Sequence, residues 1–443
     1  MEKRGIFESD ELISRLHGDK VIWIIAFLLG MLSILLVYSS SSITASLHGT
    51  TNFTYLIKQS KFIIVGFAIL YVCYKIPIGL YRLLAIPAMI ACIAVLTLVL
   101  FKGSSTNDAK RWLEIGGSRS FQPTEFAKIA VVLYLARILE ISKLETFKEF
   151  LIKIILPIGM VCGLLLVGSV SSALFIGFVS FIILYVAGVK ISYLAKTIGI
   201  GSILVAVVII AHLLFGIFPR MDTAINRLKK FVVKTEASED MSISDRRALA
   251  SETFQVDMAK VAVSSGGLLG KGPGNSTQRN VLPNSNSDYI FSIIIEEYGL
   301  LGAIFVLMLY MWFLYRCVIL VKNCHKIFTA IVVGGFGLLI TMQASLHILV
   351  NVGILPVTGH TLPLISSGGT SIIVVCCSIG IVLSVSRTID MANISNKEKE
   401  EKEKEKVEKE NNKETIDTTE VAENNKIEIP EMIVEVDENN NNI

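Results

Sequence analysis

Ten largely aliphatic runs, near twenty residues each and without the period-2 alternation of a membrane strand, constrain this chain more than any other feature. They fall at residues 21–39, 61–75, 83–101, 124–139, 151–168, 171–188, 193–217, 289–321, 328–350 and 370–387. A run of that length crosses about 30 Å of hydrocarbon as a helix. The helix also satisfies its own backbone groups where no water can do so. With 52% of its 443 residues hydrophobic and a mean hydropathy of +0.62, the chain is too apolar for a soluble protein of its size. The expected fold is an all-α polytopic membrane protein of about ten transmembrane helices, with a large extracytoplasmic loop between helices 7 and 8.

Short loops set the orientation. Lys3, Arg4, Arg15 and Lys20 precede the first run, and odd-to-even counting puts Lys75, Arg82, Lys143, Lys148, Lys190, Lys196, Lys322 and Lys326 on the same side. By the positive-inside rule both termini are cytoplasmic. Residues 1–20 carry no small-residue cleavage site, so the first span is expected to remain as an anchor. The membrane domain then covers 21–388, the large outer loop 218–288, and a charged cytoplasmic tail 389–443. That tail includes the Lys/Glu run 397–406, which cannot bury a core and is expected to be disordered or at best a solvated helix. The formal charge of +3 suggests no nucleic acid. The six histidines and seven cysteines lack metal-site spacing, and no cysteine lies in a long polar loop. Three non-helical stretches, 102–123, 218–288 and 351–369, share the outer face, so function is expected there.

In the first of these, Lys102, Lys110, Arg111, Arg119 and Lys128 crowd a loop on the side where positive charge should be scarce. An anionic ligand at the outer surface would explain them, since Arg grips phosphate bidentately and Lys acts as a point charge. Anchoring to bulk anionic lipid, with Trp112 in the aromatic belt, is the other explanation. Glu125 and Lys128, three apart on one helix face, can hold each other at membrane depth. The long outer loop holds Gly266-Gly-Leu-Leu-Gly270-Lys271-Gly272, which superficially looks like a phosphate loop. Walker A needs four residues between its first Gly and Gly-Lys, followed by Ser or Thr; only three intervene here and Gly follows. A tight turn re-entering the membrane surface is the better reading, with Lys271 kept as a possible phosphate contact. The loop ends at Asp288, a carboxylate at the mouth of an apolar helix. It is either an N-cap or a functional acid, and the residue alone does not decide. In the third stretch, two prolines and four glycines lead into Ser366-Ser367-Gly368-Gly369-Thr370-Ser371 at the start of the last span. Such a helix start either binds a phosphate or carboxylate through its free N–H groups or is an ordinary hydroxyl cap.

Four ordered motifs together resemble the SEDS family (FtsW, RodA and SpoVE) over about residues 20–388. They are Ala109-Lys-Arg-Trp112 with Phe121-Gln-Pro-Thr-Glu-Phe-Ala-Lys128; Gly266-Gly267 through Gly270-Lys-Gly272 and Asn275-Ser276; Asp288-Tyr-Ile-Phe with Glu296-Glu-Tyr-Gly299; and Leu355-Pro-Val-Thr-Gly359 with Leu362-Pro363 through Ser366-Ser-Gly-Gly369. The segments 18–23 and 38–40 look more like the FtsW branch. The chain departs from the family at Gly168-Ser-Val-Ser-Ser-Ala173, where many relatives carry an acid, and at Asn286-Ser287, where relatives often have His-Thr. The resemblance implies an inverting peptidoglycan glycosyltransferase that polymerises lipid II, with Asp288 as general base. It implies a cationic cradle of Lys110, Arg111, Lys128 and Lys271, and further substrate contacts at Trp112, Gln122, Glu125, Ser366, Ser367, Gly368 and Gly369. It also implies a divalent cation, Mg2+ or Mn2+, with no organic cofactor. The implied partners are a class B penicillin-binding protein transpeptidase and other divisome membrane proteins at the septum of the bacterial inner membrane. The competing expectations are a lipid II flippase or transporter, and a non-catalytic divisome scaffold.

Overall fold

The computed structural model describes residues 17–47, 49–102, 104–106, 109–115, 118–215 and 243–424. The helices are α1 (Lys20–Ser40), α2 (Ser42–Leu47), α3 (Asn52–Lys75), α4 (Ile78–Lys102), α5 (Pro123–Ile141), α6 (Phe147–Phe150), α7 (Leu156–Gly168), α8 (Val170–Val186), α9 (Ile191–Phe215), α10 (Ile243–Ser265), α11 (Ile290–Lys322), α12 (Ile327–Asn351) and α13 (Gly369–Asn424). A π-helical segment, Leu151–Ile155, joins α6 to α7. Every expected span falls on a helix. By length and composition, seven described segments can cross a membrane: Lys20–Ser40, Asn52–Lys75, Ile78–Phe101, Phe147–Gly168, Ile290–Lys322, Ile327–Asn351 and Gly369–Lys397. A count of ten also requires α5, which carries Glu125, Lys128, Arg137 and Glu140, α8, which is 17 residues long, and α9. The first outer stretch adds what hydropathy did not show, an antiparallel sheet of β1 (Ser104–Thr106), β2 (Ala109–Ile115) and β3 (Ser118–Phe121) in the order β1-β2-β3.

The chain divides into two units, Met1–Ile389 and Asp390–Ile443. In the first, α5 is the most enclosed helix, buried from Pro123 through Thr124 and Glu125 and again at Ala127, Lys128 and Ala130–Ala136. A helix apolar around its whole circumference belongs in the middle of a bundle. α11 and α12 pack beside it. In the second unit the Lys/Glu-rich segment remains helical to Asn424 and is exposed where its side chains are described. Composition had suggested disorder there, but oppositely charged pairs four residues apart support a helix that buries nothing. The parts of the tail beyond 424, of the large loop from 218 to 242 and of the N-terminal segment before His17 lie outside the described residues.

α11 is broken near the end of its first third. Gly299 adopts φ 68 and ψ −166, which only glycine tolerates well. The backbone groups freed by the break are taken up by the glycine-rich loop. Lys271 N–H donates to Glu296 O and Gly272 N–H to Glu297 O, both at 2.9 Å, while Leu300 N–H donates to Gly267 O at 3.0 Å. A Cβ on Gly266 would lie 2.1 Å from Ile295 O, and one on Gly270 2.3 Å from Glu297 O. These glycines are there for backbone-to-backbone contact at membrane depth, not for phosphate.

Candidate active site

The site is assembled on the turn that ends at Asp288. Asn284 sits at φ 58, a left-handed conformation that Asn tolerates better than most residues. Its carbonyl accepts the N–H groups of Ser287 and Asp288 at 3.1 Å and of Tyr289 at 3.4 Å. Three distant parts of the chain then clamp this turn. Ser285 Oγ donates to Ser40 O at 2.7 Å, at the end of α1. Ser366 Oγ donates to Ser287 O at 2.7 Å, and Ser367 N–H donates to Asn286 O at 2.8 Å. From the end of α12, Asn351 Nδ2 donates to Asp288 O at 3.0 Å.

Asp288 is half-buried and is not the N-cap of α11. That position belongs to Tyr289, whose side chain makes no capping bond. The first-turn N–H of Ser292 is instead taken by Asn351 Oδ1 at 3.1 Å. The capping role that competed for Asp288 in the sequence is thus supplied by another helix.

Beside this turn, inside the bundle, lies an ion pair. Lys128 Nζ is 2.7 Å from Glu125 Oε1 and 2.8 Å from Gln343 Oε1, with Lys128 only 2% exposed, and it sits 5.7 Å from the Phe175 ring centroid. Two of its three ammonium donors are therefore used. Gln343 Nε2 donates to Thr361 O at 2.9 Å, and His347 Nδ1 lies 2.7 Å from His360 O. Since a carbonyl only accepts, His347 Nδ1 carries the proton. Burial, with the Lys128 cation adding to it, pushes the His360 imidazole down to about 4, so it is neutral at physiological pH.

The other expected site residues divide. Lys110, Arg111 and Trp112 are in β2, and their side chains lie outside what is described. Gln122 is the half-buried residue before Pro123 at the N-cap of α5, without a side-chain capping bond. Gly368 and Gly369 open α13, where a Cβ on Gly369 would lie 2.5 Å from the Phe62 ring, so close packing of α3 requires that glycine. Two expectations need correction. Ser366 is 2% exposed and its hydroxyl, besides donating to Ser287 O, accepts Leu362 N–H at 2.8 Å, so it holds the turn and does not face a ligand. Lys271 Nζ is 2.6 Å from Glu296 Oε1, paired with a fully buried carboxylate, and not presented to a phosphate.

Gln343, His347 and Asn351 were missed in the sequence. Their signal was present: polar residues recurring every four positions in an otherwise apolar span share one helix face and mark a buried function. At Ser169, where relatives carry an acid, the hydroxyl caps α8 by accepting Ser172 N–H at 3.3 Å. Among the described residues no cluster of three His, Cys, Asp or Glu side chains is placed to hold a metal. Glu125 Oε2 is buried with no protein partner, but the Lys128 ammonium against the same carboxylate repels a second cation. The residues present therefore do not fit a resident Mg2+ or Mn2+.

The comparisons with known proteins agree with this architecture. The family model described as cell cycle protein, covering FtsW, RodA and SpoVE, matches residues 19–390. A Geobacter metallireducens protein named probable peptidoglycan glycosyltransferase FtsW is 30% identical over 380 residues, spanning 83% of this chain and 94% of its own. Stage V sporulation protein E of Bacillus subtilis is 28% identical over 376 residues, spanning 83% and 97%. A solved chain from a peptidoglycan synthase complex that coordinates polymerization and crosslinking superimposes with a TM-score of 0.65 at 24% identity, covering 84% of this chain and 98% of that one. The crystal structure of Thermus thermophilus rod shape determining protein RodA gives 0.60 at 24% identity, with the same coverage. By the extent of the family match and of these relatives, this multi-pass membrane protein is a member of the FtsW, RodA and SpoVE family of cell cycle proteins.

Proposed function

We propose that the protein is a peptidoglycan glycosyltransferase that polymerises lipid II for septal wall synthesis, with Asp288 as general base. The observation that carries this is the clamping of the Asp288 turn from α1, α12 and the Ser366-Ser367 segment, while Asn351 relieves Asp288 of helix capping. Restraint of this kind on a half-buried carboxylate is preorganisation for chemistry. In the reaction the acceptor's 4-hydroxyl oxygen attacks the donor sugar's C1 from the face opposite the pyrophosphate. The C1–O bond breaks with its electron pair leaving on undecaprenyl pyrophosphate, and Asp288 takes the hydroxyl proton. Pyrophosphate needs positive charge, not a proton, to leave. Lys110 and Arg111 in β2 are the candidates for that charge, with the third N–H of Lys128 behind them. A divalent cation would have to arrive on the substrate's own phosphates, as Mg2+ commonly does.

Depth favours polymerisation over transport. Gln343 lies about 12 Å along α12 from Asn351, and Lys128 about 7.5 Å along α5 from Pro123, at 1.5 Å per residue. The polar network thus stays in one half of about 30 Å of hydrocarbon, whereas a flippase or transporter expects its site at the midplane. Both termini are assigned to the cytoplasm and Asp288 to the outer face. Reporter fusions at Ser242 and Lys406 should read opposite sides, and two cytoplasmic readings would reject that orientation. The chain is further assigned a class B penicillin-binding protein as cross-linking partner. The catalytic assignment is tested by glycan formation from lipid II with wild type and Asp288→Asn, each reconstituted with its transpeptidase. Equal product from both would remove Asp288 as the base, and no product from either would favour the flippase.

A further inference from the structure

We infer that Asn351 is a positioning residue for Asp288: it caps α11 from a neighbouring helix, keeping the helix N-terminus from capturing the Asp288 carboxylate, and it fixes the Asp288 main chain. This rests on the reading of Asp288 as general base. Asn351 is 1% exposed and all four hydrogen-bonding places of its amide are filled. Oδ1 accepts Ser292 N–H at 3.1 Å and Ser292 Oγ–H at 2.9 Å; Nδ2 donates to Asp288 O at 3.0 Å and to His347 O at 2.9 Å. The amide can take only this orientation, because the Ser292 N–H only donates and the two carbonyls only accept.

The physical need for such a residue follows from where Asp288 sits. Ser292 N–H belongs to the first turn of α11, the donor that a side chain at the N-cap ordinarily satisfies. Tyr289 at the cap cannot satisfy it, and the nearest carboxylate in sequence is Asp288, one residue earlier. The positive end of the helix dipole attracts an anion to that place. A carboxylate that accepts backbone N–H bonds has its charged form stabilised, so its pKa falls and it becomes a poorer base. Asn351, neutral and already bonded to Ser292, occupies the place that would otherwise weaken Asp288.

α12 also sets the geometry of the whole site. One turn before Asn351, His347 bonds His360 O, and one turn before that Gln343 reaches both Lys128 and Thr361 O. A single helix face therefore spaces the Lys128 pair from the Asp288 turn, and Asn351 is its last rung.

The test uses the full-length protein in liposomes, with lipid II turnover followed across pH for wild type, Asn351→Ala, Asn351→Asp and Asp288→Asn. Asn351→Ala releases the Ser292 N–H. Its kcat should fall about ten- to a hundredfold with little change in KM. The acid limb of its pH–rate profile should move by about one unit to lower pH, because a captured Asp288 ionises more readily. A purely structural residue would lower kcat or stability without moving that limb. Asn351→Asp keeps an acceptor for Ser292 and therefore the fold. It loses the donor to Asp288 O, so its kcat should also fall about tenfold with KM retained. Should the alanine variant fail to fold, the aspartate variant carries the test alone, and wild-type kcat there overturns the inference. Wild-type kcat, or an unmoved acid limb, in a folded Asn351→Ala likewise overturns it. If Asp288→Asn itself keeps full turnover, the base assignment falls first, which separates the two failures.

Discussion

Asp288 and Glu296 stand eight positions apart at the same end of α11, and the protein treats them in opposite ways. Glu296 is fully buried and surrounded by donors: Lys271 Nζ at 2.6 Å, Thr277 N–H at 3.1 Å, Thr277 Oγ at 2.8 Å, Gln278 N–H at 3.2 Å, and the Ser276 hydroxyl. Asp288 is half-buried, and the bonds that locate it fall on its main chain. A carboxylate whose lone pairs are saturated by its own protein is a fastener, since those donors stabilise its charge and suppress its basicity. One held by its backbone can keep its side chain for a substrate. The difference lies in which atoms the protein restrains, not in residue type.

Breaking the fastener should have the larger effect. Glu296→Ala removes the acceptor for Lys271, Ser276, Thr277 and Gln278 together and leaves their donors without a buried partner. The expected loss is about 3 to 5 kcal/mol of stability, read as a lower unfolding temperature in detergent and a lower yield of folded protein. An unchanged unfolding temperature would show that the glycine-rich loop is held by its backbone contacts alone. Asp288→Asn should do the reverse. Turnover falls by roughly two orders of magnitude, about 2.7 kcal/mol of barrier, because an amide cannot accept the proton. The unfolding temperature stays near wild type, because Asn351, and not Asp288, caps the helix.

The same contrast explains what was legible in the sequence. Features encoded within a turn or two could be read. Hydropathy located the spans, the three-residue spacing of Glu125 and Lys128 gave their ion pair, and the failed Walker spacing marked Gly266–Gly272 as a turn. Features that depend on which distant elements meet could not. Lys271 and Glu296 are 25 residues apart, Ser40 and Ser285 are 245 apart, and no local pattern records that they touch. Asn351 was visible only as a residue near a helix end, and its partner in the first turn of α11 is 59 positions away. Ser366 misled because a hydroxyl before two glycines suits a ligand as well as it suits a neighbouring carbonyl.

Lys271 gives the smallest effect and the sharpest discrimination. As a phosphate contact, its removal would raise KM for lipid II and leave the unfolding temperature alone. As the partner of Glu296 it should do the opposite. Lys271→Ala leaves Glu296 with Ser276, Thr277 and Gln278 as donors, so the buried charge stays solvated by protein. Lys271 is itself one-third exposed, with 32% of its side chain in solvent, which weakens what the pair contributes. The expected cost is then about 1 kcal/mol, seen as a small drop in unfolding temperature with KM unchanged. A several-fold rise in KM at constant stability would return Lys271 to the substrate. It would also mean that the 2.6 Å contact with Glu296 opens when lipid II binds.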